Sequence, residues 1–279
     1  MRLAVLHSTI REDEKLIYRA AEAQKFEVEY IDARNIVLNP EIRQNSFDVV
    51  LERCLSTTVG MHAVMFFQSL DIPVVNSYET AVLCDNKFHT SLVLKKRNIP
   101  TVPFVLAFNE KTAKEAVDIL GGYPLILKPV SGSWGRLLAK VNDNDALEAV
   151  IEQKLMLGSP IHKAIYMQKY ISKNGRDIRV TTIADRAICA IYREAEHWVT
   201  NTARGAKASV CQIDKAMTDI CRKTSRAVGG GILGIDLFES GESYLVNEVN
   251  HTPEFKNVQR VTGVDVAGEM VKYCQTLIS

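Results

Sequence analysis

The chain has 279 residues, of which 47% are hydrophobic and 24% charged, and both fractions are typical of a folded globular protein. Because 34 lysines and arginines are balanced by 33 acidic residues, the composition excludes a protein whose main task is coating nucleic acid or an anionic membrane. No apolar run reaches the roughly 18 residues of a membrane span, and charged residues at 11–15 interrupt any signal-like segment. We therefore expect a cytoplasmic protein that binds neither nucleic acid nor membranes and whose six scattered cysteines are reduced.

The first third of the chain alternates short apolar runs with helical spacing, which is typical of a parallel α/β sheet. Its predicted elements are strands at 2–7, 48–51 and 73–76 and a helix at 12–25. The later predicted elements are helices at 84–98, 111–120, 214–228 and from 266, and strands at 125–128, 138–141, 165–171, 178–183, 187–192, 232–238 and 244–249. The pattern predicts an N-terminal α/β domain (1–84) and two α+β lobes (85–164 and 165–279).

A loop of small residues follows the predicted strand at 125–128, which ends in Lys128. The loop residues are Ser131, Gly132, Ser133, Trp134 and Gly135. Glycine permits close approach of the backbone, so such a loop can place N–H groups against phosphate oxygens. An ordinary hairpin turn with an incidental lysine is the alternative. The chain has no Walker A motif, so a P-loop nucleotide site is excluded.

Three oxygen-bearing side chains lie in two apolar strands near the C-terminus. Glu248 and Asn250 are two residues apart, so they share a face of one strand, and Asp236 lies in the preceding strand. If the hairpin register brings Asp236 beside them, the three side chains form a site of the kind that Mg²⁺ prefers. Solvated carboxylates on an edge strand are the alternative.

Six runs of the sequence, taken with these features, resemble the ATP-grasp ligases. The runs are LERC at 51–54, DNK at 85–87, KPVSGSWGR at 128–136, GRDIR at 175–179, TNTARG at 200–205 and NEVNHTPEFKN at 247–257. The resemblance extends over essentially the whole chain and is to the branch that contains the ribosomal-protein S6 glutamate ligases, most closely to its LysX type. It implies an ATP-grasp fold in which an N-terminal parallel α/β domain precedes two α+β lobes that clamp ATP.

The resemblance also implies a role for each candidate residue. Lys87 and Lys128 would contact ATP phosphates under the cover formed by 131–135. The other implied nucleotide contacts are Asp177 and a hinge of Gln168, Lys169 and Tyr170, whose backbone groups would contact the adenine edge. Lys169 replaces the glutamate common in relatives. The implied catalytic cations are Lys128, Arg179 and Arg193, and the implied ligands of Mg²⁺, with two ions expected, are Asp236, Glu248 and Asn250. The implied substrate contacts are Arg193, Asn201, Thr202, Arg204 and Asn257.

The implied reaction is ATP-dependent amide formation through an acylphosphate. The carboxylate would belong to the terminal Glu of a small acidic carrier protein, and a homo-oligomer is expected. Candidate carrier-docking cations are Lys173, Arg176, Lys207 and the run 95–97. The amine is expected to be α-aminoadipate, because relatives that add it have Asn followed by Ser or Thr after the EFK run, whereas relatives that add glutamate have Gly-Phe. This chain has Asn257 followed by Val258.

Two other interpretations are open from the sequence. A ligase of the same fold can extend a ribosomal protein or a cofactor with glutamate or another amino acid. A non-catalytic nucleotide-binding module can keep the fold, although such a module has no need for the metal-ligand set of Asp236, Glu248 and Asn250.

Overall fold

The structure is a computed structural model, and it describes residues 1–41, 47–132, 136–159, 163–200 and 205–278. Within these ranges the secondary structure forms three sheets. None of the described helices is both long and apolar enough to span a membrane. The six cysteines are free and buried, which confirms the prediction made for them.

The N-terminal sheet is parallel, with the strand order β2-β1-β3-β4. The strands at 2–7, 49–52 and 74–75 are mostly hydrophobic and buried, whereas the edge strand at 27–32 contains three acidic residues and is partly exposed. The elements are β1 (Arg2–His7), α1 (Glu12–Ala23), β2 (Glu27–Asp32), β3 (Val49–Glu52), α2 (Thr57–Ser69) and β4 (Val74–Val75).

The central sheet is antiparallel, with the order β5-β8-β6-β7. Its region contains α3 (Tyr78–Asp85), α4 (Lys87–Lys96), β5 (Phe104–Ala107), α5 (Glu110–Ile119), β6 (Leu125–Lys128), β7 (Ala139–Val141), α6 (Asn144–Leu157) and β8 (Ile165–Lys169). The single helix predicted over 84–98 is wrong, since two helices meet at Asn86. The Asn86 side chain accepts a hydrogen bond from the His89 N–H (3.0 Å) and begins the second helix there.

The C-terminal sheet is antiparallel, with the order β11-β10-β9-β12-β13. Its region contains β9 (Arg176–Ile183), β10 (Arg186–Glu194), β11 (Lys207–Cys211), α7 (Lys215–Val228), β12 (Ile232–Ser240), β13 (Ser243–Asn250), α8 (Lys256–Thr262) and α9 (Val266–Thr276). Gly229 ends α7 with φ of 102°, a left-handed conformation that glycine adopts without strain.

One hydrophobic core joins the N-terminal sheet to the C-terminal region. It contains Leu3 and Val5 of β1 together with Phe255, Val258 and Met270, all nearly inaccessible to solvent. The segment 251–258 therefore lies between the two sheets, and its position depends on both of them. This packing places the segment beside the end of β13, where the candidate metal ligands are.

Candidate active site

Two lysines from different elements meet at one cleft. Lys128 is the last residue of β6, and its Nζ donates a hydrogen bond to Asn247 Oδ1 (2.8 Å). Lys87 is the first residue of α4, and its Nζ donates to the Gly132 carbonyl (2.5 Å) and lies 3.2 Å from Glu248 Oε1. The two ammonium groups thus lie where the small-residue loop begins, as the sequence predicts for a phosphate site.

Lys128 is buried, with a relative exposure of 7%. Burial lowers the pKa of its ammonium to about 8, and the neighbouring Lys87 acts in the same direction, while Glu248 opposes the shift. A buried cation that is not fully offset by a carboxylate is energetically costly unless an anion binds it. This residue is therefore suited to a phosphate group.

A β-bulge in the hairpin of β12 and β13 changes which side chains reach the cleft. Asp236 is directly opposite Glu248, but Leu237 is opposite Val246, so Asn247 is the extra residue. In a regular strand neighbouring residues point to opposite faces, whereas the bulge lets Asn247 and Glu248 both line the cleft that contains Lys87 and Lys128. This cleft is named the nucleotide cleft after the ligand that the sequence predicts for it. Val246 and Val249 remain buried in the core. Sequence reasoning missed Asn247; two adjacent polar residues in an apolar strand were the available signal.

Asp236 lies at the centre of a buried charge network. Its carboxylate accepts hydrogen bonds from Arg179, with one contact of 3.1 Å to Oδ2, and lies 3.2 Å from Arg193 Nη2. Burial alone would raise the pKa of Asp236, but the two guanidinium groups more than offset it and lower the pKa. The predicted register is confirmed, and it brings Arg179, Asp236 and Glu248 side by side on β9, β12 and β13.

Asp177 extends this network on the opposite side of Arg193. Its Oδ1 accepts from Arg193 Nε (2.7 Å), and its Oδ2 accepts from Thr200 Oγ1 (2.5 Å) and lies 3.3 Å from Lys173 Nζ. The prediction that Lys173 belongs to a docking surface is wrong. Its side chain is only 9% exposed and lines the nucleotide cleft, because the carboxylate of Asp177 and the hydroxyl of Thr200 hold its ammonium there.

The predicted hinge lines the other wall of the nucleotide cleft, where β8 ends. Gln168 is buried, and its amide donates to Tyr166 Oη (2.9 Å). The N–H groups of Lys169 and Tyr170 donate to the carbonyls of Pro103 (3.0 Å) and Pro124 (3.2 Å). The expectation that hinge backbone groups contact adenine therefore does not apply to these two N–H groups. Both residues still form the wall of the cleft.

A second cavity continues from the nucleotide cleft. Both are lined by Lys87, Gly132, Arg193, Asp236 and Glu248. The second cavity also reaches Asn250 and the segment 251–258, including Asn257, and its opposite wall comes from the N-terminal domain. A molecule in the second cavity can therefore meet a nucleotide phosphate at the shared residues. Nucleotide and acceptor sites that share a wall are what a group-transfer reaction requires.

Two buried acids of the N-terminal domain hold the far wall of this second cavity. Asp13 Oδ1 accepts from the N–H groups of Phe255 (2.6 Å) and Lys256 (3.0 Å), and Glu52 Oε2 accepts from Thr252 Oγ1 (2.8 Å). Sequence reasoning did not assign these residues to the site. Their partners lie 200 to 243 positions away in the chain, and no local pattern indicates such contacts.

The predicted metal ligands have the chemistry of a Mg²⁺ site. Two carboxylates and an amide, from Asp236, Glu248 and Asn250, lie on neighbouring register positions. In the described residues no group of three His, Cys, Asp or Glu side chains is arranged to hold a metal ion, and the ligand set of Asp236, Glu248 and Asn250 remains a prediction. Asp236 already accepts from both arginines and has only its remaining lone pairs to offer.

Six predicted site residues lie outside the described ranges and have no structural account. They are Ser133, Trp134, Gly135, Asn201, Thr202 and Arg204. Ser131, which precedes the first of them, donates through its hydroxyl to Asp85 Oδ2 (2.5 Å).

Family models match almost the whole chain. Residues 84–274 match the RimK-like ATP-grasp domain, and residues 3–83 match the LysX preATP-grasp domain. This chain belongs to the RimK-like ATP-grasp ligases. The predicted family and fold class are thereby confirmed, as is the class of reaction, which is ATP-dependent amide formation. ATP-grasp ligases use ATP and Mg²⁺, in agreement with the lysine pair and the predicted oxygen ligands described above.

Several relatives are similar over nearly their full length. The α-aminoadipate–LysW ligase LysX of Saccharolobus solfataricus is 35% identical over 261 residues, covering 92% of this chain and 94% of the relative. The glutamate–LysW ligase ArgX of Sulfolobus acidocaldarius is 32% identical over 279 residues, covering 98% of each. The crystal structure of a RimK domain ATP-grasp protein from Sphaerobacter thermophilus has a TM-score of 0.84, at 24% identity, covering 98% of this chain and 99% of that one. This last likeness supports the fold.

Proposed function

We propose that this chain joins the amino group of α-aminoadipate to the γ-carboxyl of the C-terminal Glu of a small acidic carrier protein of the LysW type, in lysine biosynthesis. The observation that carries the proposal is the shared wall of the two cavities, which connects the phosphate lysines to the segment containing Asn257. The 35% identity to a ligase named for α-aminoadipate and LysW supports the choice of substrates.

The proposed reaction has two steps at the shared wall. A carboxylate oxygen of the carrier attacks the γ-phosphorus in line, the bond from that phosphorus to the ADP oxygen breaks, and an acylphosphate forms. The amine then attacks the acyl carbon and loses a proton, and the C–O bond breaks to release phosphate. Lys128 and Lys87 offset the charge on the phosphoryl oxygens.

Arg179 and Arg193 supply further positive charge in fixed positions. Because Asp236 and Asp177 hold both guanidinium groups before substrate binds, little reorganisation is needed when charge develops in the transition state. Bound Mg²⁺ would neutralise phosphate charge, held by Glu248, Asn250 and the free lone pairs of Asp236, and we propose two ions. The loop 131–135 would exclude water, which would otherwise hydrolyse the acylphosphate.

Asn257 supports α-aminoadipate as the amine. It lines the second cavity, and no phenylalanine follows it to fill the space that the extra methylene of α-aminoadipate needs. Val258, which is 3% exposed, also lines this cavity and supplies no hydroxyl to it. Glutamate is the second candidate, because the ArgX relative covers 98% of this chain.

Competition between the two amino acids tests the proposal. The enzyme is incubated with ATP, Mg²⁺, a LysW-type carrier and equimolar α-aminoadipate and glutamate, and the carrier is weighed by mass spectrometry. We expect mainly the α-aminoadipate adduct, with a preference within the roughly 10- to 200-fold range that one methylene supplies. A carrier that is mainly glutamylated would overturn the choice of amino acid, and an unmodified carrier would overturn the choice of acceptor.

The docking surface for the carrier is also a proposal. Among the four predicted candidates, Lys207 and the run 95–97 are exposed. Arg176 lies at the surface, where Glu239 accepts two hydrogen bonds of 2.8 Å from it and offsets its charge. We propose that Lys207 and 95–97 contribute more to attracting an acidic carrier than Arg176 does. The homo-oligomer remains a prediction.

A further inference from the structure

Asn247 occupies an unusual position in the hairpin of β12 and β13. It is the extra residue of the β-bulge, and the preceding residue, Val246, is buried in the core. The bulge lets the side chain of Asn247 line the nucleotide cleft together with that of Glu248. A regular strand would present only one of these two neighbours to the cleft. The bulge therefore adds a neutral amide beside the Glu248 carboxylate.

The amide of Asn247 holds a buried ammonium group. Its Oδ1 accepts a hydrogen bond of 2.8 Å from Nζ of Lys128, which is 7% exposed. Lys128 ends β6 of the central sheet and Asn247 belongs to β13 of the C-terminal sheet, so this bond joins the two sheets across the cleft. An ammonium group can only donate, so its partner has to be the carbonyl oxygen of the amide.

Three other cations that line this cleft are each paired with a carboxylate. The pairs are Lys87 with Glu248 (3.2 Å), Lys173 with Asp177 (3.3 Å) and Arg193 with Asp177 (2.7 Å). The hydrogen bond from Lys128 instead goes to a neutral amide, which fixes the position of the ammonium without offsetting its charge. A carboxylate in the place of Asn247 would form an ion pair with the ammonium and compete with an incoming phosphate.

We propose that Asn247 is a positioning residue for the ATP phosphates, because its neutral amide fixes the Lys128 ammonium and leaves the positive charge available to them. This inference rests on the phosphate role proposed for Lys128. It is independent of which amine or carrier the enzyme uses. Phosphoryl transfer depends on charge that is already in position when the transition state forms. An ammonium that is held but not neutralised meets this requirement.

Two substitutions of similar size separate this role from a structural one. Asn247→Asp supplies a carboxylate of the same shape, and Asn247→Leu removes the acceptor without adding charge. Binding of a non-hydrolysable ATP analogue with Mg²⁺ is measured by calorimetric titration. Asn247→Asp should weaken binding by about tenfold to a hundredfold, because it neutralises Lys128, whereas Asn247→Leu should weaken it by only a few-fold. If Asn247 only maintained the hairpin, Asn247→Asp would be the milder change, and that order would overturn the inference.

A double-mutant cycle tests whether Asn247 acts through Lys128. In the Lys128→Met background, Asn247→Leu should have no further effect on binding of the analogue, because no ammonium is left to position. An equal loss of affinity in both backgrounds would overturn the positioning role. This cycle decides the question if Asn247→Asp does not fold.

Two exposed residues provide matched controls. Asn109→Asp adds the same charge at the N-cap of α5, a position that aspartate fills as well as asparagine. Lys223→Met on α7 is the control for Lys128→Met. Asn109 and Lys223 are not among the residues that line the two cavities, so both variants should bind the analogue like wild type. Circular dichroism and urea unfolding would show which variants fold.

The failure of the phosphate role of Lys128 is distinguishable from the failure of the Asn247 inference. If Lys128→Met binds the analogue as tightly as wild type, Lys128 does not bind phosphate, and the inference about Asn247 is overturned with it. If Lys128→Met weakens binding while Asn247→Asp does not, only the inference about Asn247 is overturned. Neither measurement uses the amino acid or the carrier, so the failure of the proposed function would leave both results valid.

Discussion

The two ends of the connected cavities differ in whether their charged side chains have protein partners. At the phosphate end Asp236 is shared by Arg179 and Arg193, and these charges are paired before any ligand arrives, with Asp236 and Arg193 buried. At the amino-acid end Lys256 and Asn257 have no protein partners in the described residues. The contrast suggests that groups which stabilise a transition state are held in place by the protein, whereas groups which select a substrate are left unpaired for it.

The largest effect is expected from removing the charge at the centre of the paired end. Asp236→Asn should lower turnover by orders of magnitude, because the guanidinium groups of Arg179 and Arg193 lose their carboxylate. It should also destabilise the fold by about 3–5 kcal/mol, the range for breaking a buried ion pair. Urea unfolding and steady-state kinetics provide the measurements. Glu248→Gln is the matched control. Because the Glu248 side chain is partly exposed, this variant should lose turnover while its free energy of unfolding is unchanged.

Removing the buried lysine should have a smaller effect that is confined to the nucleotide. Lys128→Met should weaken ATP binding by about 10- to 100-fold, because one charged hydrogen bond to phosphate is lost. Calorimetric titration measures this, with Lys223→Met as the control. An affinity equal to that of wild type would remove Lys128 from the phosphate site.

The same lysine predicts a dependence on pH. Burial lowers the pKa of Lys128 to about 8, so the free enzyme carries the charge below this pH and loses it as the pH rises through it. ATP affinity should therefore be constant from pH 6.5 to about 7.5 and then fall by up to about tenfold per pH unit. The fall should be absent in Lys128→Met. A wild-type affinity that is flat to pH 9.5 would contradict the assignment.

The smallest effect is expected at the unpaired end. Asn257→Gly removes one amide and should change the preference for α-aminoadipate over glutamate by a few-fold, since one hydrogen bond contributes about 0.5–1.5 kcal/mol. The competition assay measures this. Asn257→Gly should be tested without Val258→Phe. The larger side chain would overpack the core and lower the free energy of unfolding by about 1–3 kcal/mol. An unchanged preference in Asn257→Gly would remove Asn257 from the selectivity of the cavity.

Much of the phosphate end could be predicted from local patterns. The strand ending in Lys128 and the hairpin that sets Asp236 beside Glu248 follow from alternation and a short turn. The bulge at Asn247 could not be predicted, because a one-residue shift in pairing depends on packing across the sheet. The division of the chain at residues 84 and 164 remains a prediction.

The amino-acid end was harder to predict because it depends on contacts distant in sequence. Asp13 and Glu52 hold the segment 251–256 from the N-terminal region. Asp13 belongs to no motif, and the run that contains Glu52 does not indicate which residue it contacts. The residues of the resemblance indicated Asn257, but they gave no reason to separate Lys256 from an ordinary surface lysine. Only the structure shows that Lys256 lacks a partner among the described residues while the other cations of the cavity are paired.

The central claim is that phosphoryl transfer and amide formation occur at the wall shared by the two cavities. Isotope transfer tests it most directly: the carrier is prepared with ¹⁸O in its terminal γ-carboxyl, and the phosphate released during ligation of α-aminoadipate is analysed by mass spectrometry. An acylphosphate requires one ¹⁸O atom in each phosphate, and no labelled phosphate should form without the amine. Phosphate that carries no ¹⁸O while the amide forms would contradict the account.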